Sequence, residues 1–94
     1  MYVISYDISN DRIRKKISDT LENYGKRVQF SVFECNISEK QLIKLYSQIA
    51  ELAIKDDEAS IRIYSLCKNC QEKIQTIGLK NEAMTQEEED LFII

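Results

Sequence analysis

The 94 residues, 44% of them hydrophobic, have the length and composition of one small globular domain. No stretch approaches the roughly 18 apolar residues of a membrane span, and the N-terminus lacks the regions of a signal peptide, so we predict a cytoplasmic protein with no membrane partner. The net charge of −3 excludes a uniformly basic nucleic-acid-binding protein. A chain this short buries a modest core, which favours association with a partner chain.

Charge is unevenly distributed along the chain. Residues 10–30 hold six basic and three acidic side chains, a balance of +3, whereas residues 82–90 hold five acidic side chains and no basic one. A local basic patch binds phosphate whatever the overall sign of the charge, so a nucleic-acid role stays open.

The first half of the chain follows a strand pattern with a helix pattern. Met1–Ile8 is largely apolar on both faces until Asp7, as expected of a central strand. The sequence SND at 9–11 suits a helix N-cap and first turn. The helix then repeats apolar residues at helical spacing, at Ile13, Ile17, Leu21 and Tyr24. Gly25 is placed to end this helix in a left-handed conformation.

The second half continues the alternation. Val28–Ile37 is a β segment, SEKQ at 38–41 is a capping box, and the helix it opens carries an apolar stripe at Leu42, Leu45, Tyr46, Ile49 and Leu52. Ser60–Leu66 alternates as a third strand, and Lys73–Leu79 is predicted as a shorter fourth strand.

One sheet with both helices on one face buries these stripes, so residues 1–79 are predicted to form an α+β, ferredoxin-like sandwich. That fold needs two strands between the helices, and only eleven residues (27–37) are available. Either a kink near Ser31 splits the segment, or one long strand takes both roles. Residues 80–94 are predicted to be an acidic linker and a C-terminal strand, LFII. This strand pairs within its own chain or is exchanged onto the partner's sheet in a homodimer.

Three cysteines are an odd number in a chain without an export signal, so no disulfide framework is expected. Cys67 and Cys70, in the motif CKNC, have zinc or redox spacing. Tetrahedral zinc takes four ligands, and no His completes the set. Either two chains pool their cysteine pairs, or the motif is a plain loop with two small thiols.

Asp7 is the leading candidate for chemistry. A carboxylate at the end of a central strand, just before a helix, suits a hard cation such as Mg²⁺, which takes one or two carboxylates together with waters and substrate phosphates. The alternative is that Asp7 caps the coming helix or pairs with a nearby Arg.

Six basic residues form a candidate phosphate-contacting surface: Arg12, Arg14, Lys15, Lys16, Lys26 and Arg27. The alternative is a solvated helix face. With no His, no Ser nucleophile motif and no Gly-rich phosphate loop, acyl transfer and nucleotide-cofactor chemistry have no support. The reaction that fits best is a metal-assisted attack on a phosphodiester.

Three segments carry a resemblance to a known family: YVISYDISNDRIRKKI, YGKRVQFSVFEC and IRIYSLCKNC. Over about residues 1–79 the chain resembles the small CRISPR-associated Cas-two family, the second core protein of spacer acquisition in antiviral defence. A strand ending in Tyr-Asp, a basic helix and RVQFSVFE occur in order and at that family's spacing.

The resemblance implies a ferredoxin-like homodimer in which the strand-end acid of each chain holds Mg²⁺ (or Mn²⁺). Asp7 matches that acid, and Tyr6 matches the aromatic residue before it. Phe33 matches the aromatic residue of the second strand, and Arg14 and Arg27 match basic positions of the family. The terminal strand of the family, which crosses onto the partner subunit, suits the LFII end.

The resemblance leaves the activity open. One reading is a metal-dependent endonuclease that cleaves single-stranded RNA or duplex DNA. The other is a non-catalytic dimeric scaffold that binds protospacer duplex DNA and bridges subunits of a CRISPR integrase partner. A third reading is a toxin-like messenger-RNA interferase, since some such toxins share this fold.

Overall fold

The computed structural model describes residues 1–78 of the chain. Its strands and helices follow the order β1 (Tyr2–Asp7), α1 (Asp11–Glu22), β2 (Lys26–Gln29), β3 (Val32–Cys35), α2 (Glu39–Ala53), β4 (Ser60–Ser65) and the short α3 (Lys68–Gln71). The four strands form one antiparallel sheet in the order β2-β3-β1-β4. This order, with α1 and α2 as the two connections, confirms the predicted ferredoxin-like α+β fold.

Strand β1 is central, paired with β3 on one side and β4 on the other. Successive side chains of a strand point to opposite faces. Ile4 and Tyr6 are buried, and they share the core with apolar residues of both long helices and of β3. The core members are Ile4, Tyr6, Ile8, Ile13, Ile17, Leu21, Phe33, Cys35, Leu45 and Ile49. Both long helices therefore cover one face of the sheet, as predicted.

The helices begin where the sequence indicates. Asn10 is the N-cap of α1, and its side-chain oxygen accepts from the backbone N–H of Ile13 at 3.0 Å. Ser38 and Gln41 form the predicted capping box of α2. Each satisfies backbone N–H groups that the first helical turn leaves without partners. Tyr46 departs from the predicted stripe: it is 59% exposed, whereas Leu45 and Ile49 are buried.

The β segment between the helices is split by a turn at Phe30 and Ser31, which confirms a break near Ser31 rather than one long strand. A register shift between Arg27 and Gln29 accompanies the tight connection. Two four-residue strands are thus enough to complete the sheet.

Two local predictions are wrong. Lys73–Leu79 was predicted to be a strand, but residues 73–78 form a turn and irregular chain, after the helical turn α3 that the sequence did not indicate. Gly25 is not left-handed, because the only positive φ of residues 1–78 belongs to Gly78. Gly25 instead permits close approach: a Cβ there would lie 2.5 Å from the sulfur and 2.8 Å from the Cα of Cys35. The LFII strand lies outside the described residues.

Candidate metal and nucleic-acid site at the end of strand β1

Asp7 is the last residue of β1, and its side chain is exposed. It pairs with Ser60 at the start of β4. The alternation along β1 puts Asp7 with Val3 and Ser5 on the face of the sheet that the helices leave uncovered. We call this the open face. Asp7 therefore ends the central strand on a surface with room for another molecule.

Neither alternative role of Asp7, as a helix cap or as the partner of an arginine, is seen within residues 1–78. Asn10, not Asp7, caps α1. Arg14 forms its ion pair with Asp11. Within residues 1–78, no ion pair involves the carboxylate of Asp7. This carboxylate is thus available to a cation or to a second chain.

Tyr6 and Phe33 lie on the other face and belong to the core. Their rings stack, with centroids 6.3 Å apart and planes at 27°. The Tyr6 backbone N–H donates to the carbonyl of Ser31 at 3.0 Å, and its hydroxyl lies 3.5 Å from the carbonyl of Phe30. Both aromatic residues therefore support the site by fixing the β2–β3 turn against the end of β1.

Arg14 holds the loop that follows Asp7. Its guanidinium donates to the carbonyl of Ile8 at 3.0 Å and to that of Ser9 at 3.4 Å, and it pairs with Asp11. The side chain is 30% exposed. Arg14 therefore ties the loop after β1 to α1 and so positions the strand end, a role that no pattern in the sequence indicated. The Asp11–Arg14 spacing of three residues suits only the helical ion pair.

Arg27 is also engaged within its own chain. Its guanidinium donates to the hydroxyl of the buried Ser18 and to the carbonyl of Phe30. It lies 4.9 Å from the centroid of the Phe33 ring and 3.8 Å from the carboxylate of Glu22. Arg27 thus fastens the β2–β3 hairpin to α1, and no pattern in the sequence indicated this.

A depression of about 430 Å³ lies between α1 and the β2–β3 turn. Its charged lining is balanced, with three basic and three acidic residues: Arg14, Lys15, Arg27, Asp11, Asp19 and Glu22. A balanced lining gives no net attraction for a phosphate backbone.

The remaining basic residues are more accessible, but they do not form one cluster. Arg12 and Lys16 are exposed, four residues apart on one side of α1, and neither has an ion pair in the part of the chain that the structure describes. Lys15 pairs with Asp19 at 3.0 Å. Lys26 lies opposite Glu34 in the sheet, and its neighbour Arg27 points to the other face. The structure therefore separates Lys26 and Arg27, which the sequence had grouped.

The exposed Asp7 carboxylate has the oxygen donors that a hard cation takes. No group of three His, Cys, Asp or Glu side chains in residues 1–78 could hold a metal ion. Mg²⁺ is held by one or two carboxylates, with waters and substrate phosphates as its other ligands. A single exposed carboxylate such as Asp7 meets the lower number, and a second copy of the chain would supply a second carboxylate.

No helix within residues 1–78 is both long enough and apolar enough to cross a bilayer. The fold and the site together define a class: small ferredoxin-like proteins with an accessible acid at the end of the central strand and a basic first helix. The family profile described as CRISPR associated protein Cas2 matches residues 1–74. The chain belongs to this family.

Comparisons with individual proteins agree. The chain is 44% identical over 94 residues to the CRISPR-associated endoribonuclease Cas2 1 of Chloroflexus aurantiacus. The matched region covers 99% of this chain and 98% of the relative. The crystal structure of Streptococcus pyogenes Cas2 at pH 6.5 is similar with a TM-score of 0.70 and 28% identity, over 82% of this chain and 98% of that one. A chain of a partial Cas6-RT-Cas1–Cas2 complex is similar with a TM-score of 0.64 and 33% identity, over 89% of this chain and 97% of that one.

Proposed function

We propose that this protein acts in CRISPR adaptation as a homodimeric, divalent-metal-dependent endonuclease that cleaves RNA or DNA phosphodiesters. The observation that carries the proposal is Asp7, an exposed carboxylate at the end of the central strand, on the open face and without an ion pair in residues 1–78. The names of the relatives support the nuclease assignment.

The proposed dimer brings two open faces together with the two Asp7 side chains near the symmetry axis. Two carboxylates that face each other repel unless a cation or a proton lies between them. Mg²⁺ or Mn²⁺ bound there would polarise a phosphodiester and supply an activated water. Asp7 is the proposed ligand, and Arg14 keeps the loop after it in place through the carbonyls of Ile8 and Ser9.

The basic residues are proposed to hold the nucleic-acid backbone. Arg12 and Lys16 are the strongest candidates, because both are exposed and neither has an ion pair in residues 1–78. Lys15 and Lys26 would add charge at the margin. Arg14 and Arg27 would contribute mainly through the field of their charges, since their guanidinium groups already donate to their own chain.

A second candidate function is a non-catalytic scaffold that binds protospacer duplex DNA and bridges subunits of an integrase partner. The similarity to a chain of a Cas6-RT-Cas1–Cas2 complex favours it. In this second function the basic residues of α1 would bind the DNA backbone, and Asp7 would not be needed for binding.

Cleavage of labelled single-stranded RNA and duplex DNA distinguishes the two functions. The reactions contain Mg²⁺, Mn²⁺ or a chelator, with wild-type protein, Asp7→Asn and the control Glu51→Gln, which neutralises an exposed acid on α2. We expect metal-dependent cleavage by wild type and Glu51→Gln, and none by Asp7→Asn at unchanged dimer size. Equal cleavage by all three proteins, or none by any, would contradict the nuclease proposal. Duplex binding without cleavage would favour the scaffold.

A further inference from the structure

The exposed cysteine pair after β4 has the geometry of a reactive dithiol. Cys67 is the N-cap of α3 and Cys70 lies within that helical turn, and their sulfur atoms are 3.3 Å apart. The backbone N–H of Cys70 also donates to the Cys67 sulfur at 3.3 Å. A disulfide brings two sulfurs to about 2.05 Å, so a small side-chain movement would join them.

The two sulfurs are not equivalent. Hydrogen bonds from the backbone and the thiol of Cys70 lower the pKa of the Cys67 thiol. The same contact, together with the charge of Cys67, raises the pKa of Cys70. The thiolate is the nucleophilic form of cysteine. Cys67 is therefore suited to attack first and Cys70 to resolve. Cys35 differs from both, because it is fully buried and burial raises the pKa of its thiol.

We propose that Cys67 and Cys70 form a thiol–disulfide exchange site whose substrates are low-molecular-weight disulfides. The Cys67 thiolate attacks one sulfur of the small disulfide and expels the other as a thiolate, which leaves a mixed disulfide on Cys67. The Cys70 thiol then loses its proton and attacks the Cys67 sulfur, expelling the second small thiolate. The protein dithiol is oxidised by two electrons, and one small disulfide is reduced to two thiols.

The position of the pair argues against a purely structural crosslink. A disulfide across two intervening residues closes a very short loop, so it constrains the unfolded chain little. Both sulfurs are exposed, which is typical of labile rather than structural disulfides. The site therefore acts as a local redox-sensitive turn.

This turn lies far from the proposed metal site. Leu66, just before the motif, exchanges hydrogen bonds with Met1 at 2.8 and 3.2 Å, whereas Asp7 lies opposite Ser60 at the other end of the strand pair. Five residue steps of β1 separate the two ends by about 17 Å. Oxidation is therefore expected to leave metal-dependent cleavage unchanged, and this proposal is independent of the proposed nuclease function.

The test is incubation of the full chain in glutathione buffers of graded redox potential, followed by acid quenching, alkylation and peptide mass spectrometry. Wild type is expected to form an intrachain Cys67–Cys70 disulfide that dithiothreitol reverses. Cys70→Ser is expected to accumulate one glutathionyl group on Cys67, and Cys67→Ser to react several-fold more slowly. Cys35 serves as the internal control and is expected to stay unmodified in the folded protein.

Three results would overturn the proposal: equal rates for both single variants, no intrachain disulfide at any potential, or disulfides only between chains. A fourth is tight zinc binding at one ion per two chains that blocks glutathione exchange. That result would assign the four pooled cysteines to a metal site instead. Circular dichroism checks that each variant is folded.

Discussion

Replacing Arg27 with Met should destabilise the protein even though the residue lies at the surface. The substitution keeps an apolar stem but removes the guanidinium. It leaves the hydroxyl of Ser18, a residue only 7% exposed, without its donor, and it leaves the carbonyl of Phe30 with the long 3.5 Å contact to the Tyr6 hydroxyl. It also removes the cation over the Phe33 ring. The residue thus tests whether the basic group at the start of β2 is structural.

The expected decrease in the free energy of unfolding follows from these contacts. Hydrogen bonds from charged groups contribute about 1.5–3 kcal/mol each when well buried, and a partly exposed cation–π contact about 0.5–1 kcal/mol. The Arg27 side chain is 39% exposed, so the sum is reduced by solvent, and the 3.8 Å pair with Glu22 adds little. We expect Arg27→Met to lower the free energy of unfolding by about 2–4 kcal/mol. Arg27→Lys should cost about half as much, because an ammonium cannot serve both acceptors in the same plane.

Urea unfolding at fixed protein concentration measures these differences. Lys26→Met is the matched control, since Lys26 is exposed on the neighbouring position and has no ion pair in residues 1–78. Adding Ser18→Ala to Arg27→Met should restore about 1 kcal/mol, because the stranded hydroxyl is then gone. If Arg27→Met matches Lys26→Met, or if the double variant recovers nothing, the structural role of Arg27 is refuted.

The remaining predictions concern the strand end, the hairpin and the core. Arg14→Ala should lower the free energy of unfolding by about 1–2 kcal/mol and weaken duplex binding. Lys16→Ala should leave the free energy of unfolding unchanged and reduce the salt dependence of duplex binding, the slope of log K against log salt, by about 1. Equal effects of the two variants on stability would contradict a structural role for Arg14 alone. Gly25→Ala should cost about 1–3 kcal/mol in urea unfolding, because its Cβ would press on the backbone of Glu34 and on Cys35; an unchanged midpoint would show that the hairpin moves freely. Burial raises the pKa of the Cys35 thiol above its ordinary value near 9.0, so the folded state keeps this proton longer than the unfolded chain. The contribution of the protonated Cys35 thiol to the free energy of unfolding is fully present below about pH 9. It is lost as the pH rises further, by up to about 1.4 kcal/mol per pH unit. In urea unfolding measured from pH 8 to 10, Cys35→Ala should reduce the fall of the free energy of unfolding with pH. If wild type and Cys35→Ala lose stability equally over this range, the raised pKa of Cys35 is contradicted.

The fold was predictable because local signals agreed with the global topology. The apolar faces of β1 and α1, the N-cap at Asn10 and the capping box at Ser38 each indicated the observed element. The break near Ser31 was open in the sequence, since Phe30 is not a typical turn residue and Ser31 alone is a weak turn signal. The turn at Phe30 and Ser31 is required by the tertiary structure, because β3 pairs with β1.

The wrong predictions came from long-range contacts that a sequence pattern does not encode. Gly25 resembles a helix terminator, but its lack of a side chain is needed for contact with Cys35, ten residues further along the chain. Residues 73–78 include the strand-favouring Ile74, Thr76 and Ile77, yet the sheet of residues 1–78 ends at β4 without them.

The candidate site was predicted in part. Asp7 could be proposed because strand ends are visible in the sequence, and its role as a metal ligand stays a prediction. The sequence shows which residues are basic, but it does not show which of them face solvent and which bind groups of their own chain. Whether an arginine faces solvent or its own chain depends on carbonyls and hydroxyls brought near by the fold, such as Phe30 and Ser18 for Arg27.

The central position of β1 has a consequence for synthesis of the chain. The ribosome makes β1 first, but its outer partner β4 begins only at Ser60. At about 5–20 residues per second, several seconds pass before that partner emerges. During this interval β1 can pair with β3 alone, so an apolar strand presents an open edge to other nascent chains. We therefore expect chaperone contacts on ribosome-bound chains to peak after β3 has emerged and to fall once Ser65 has left the exit tunnel.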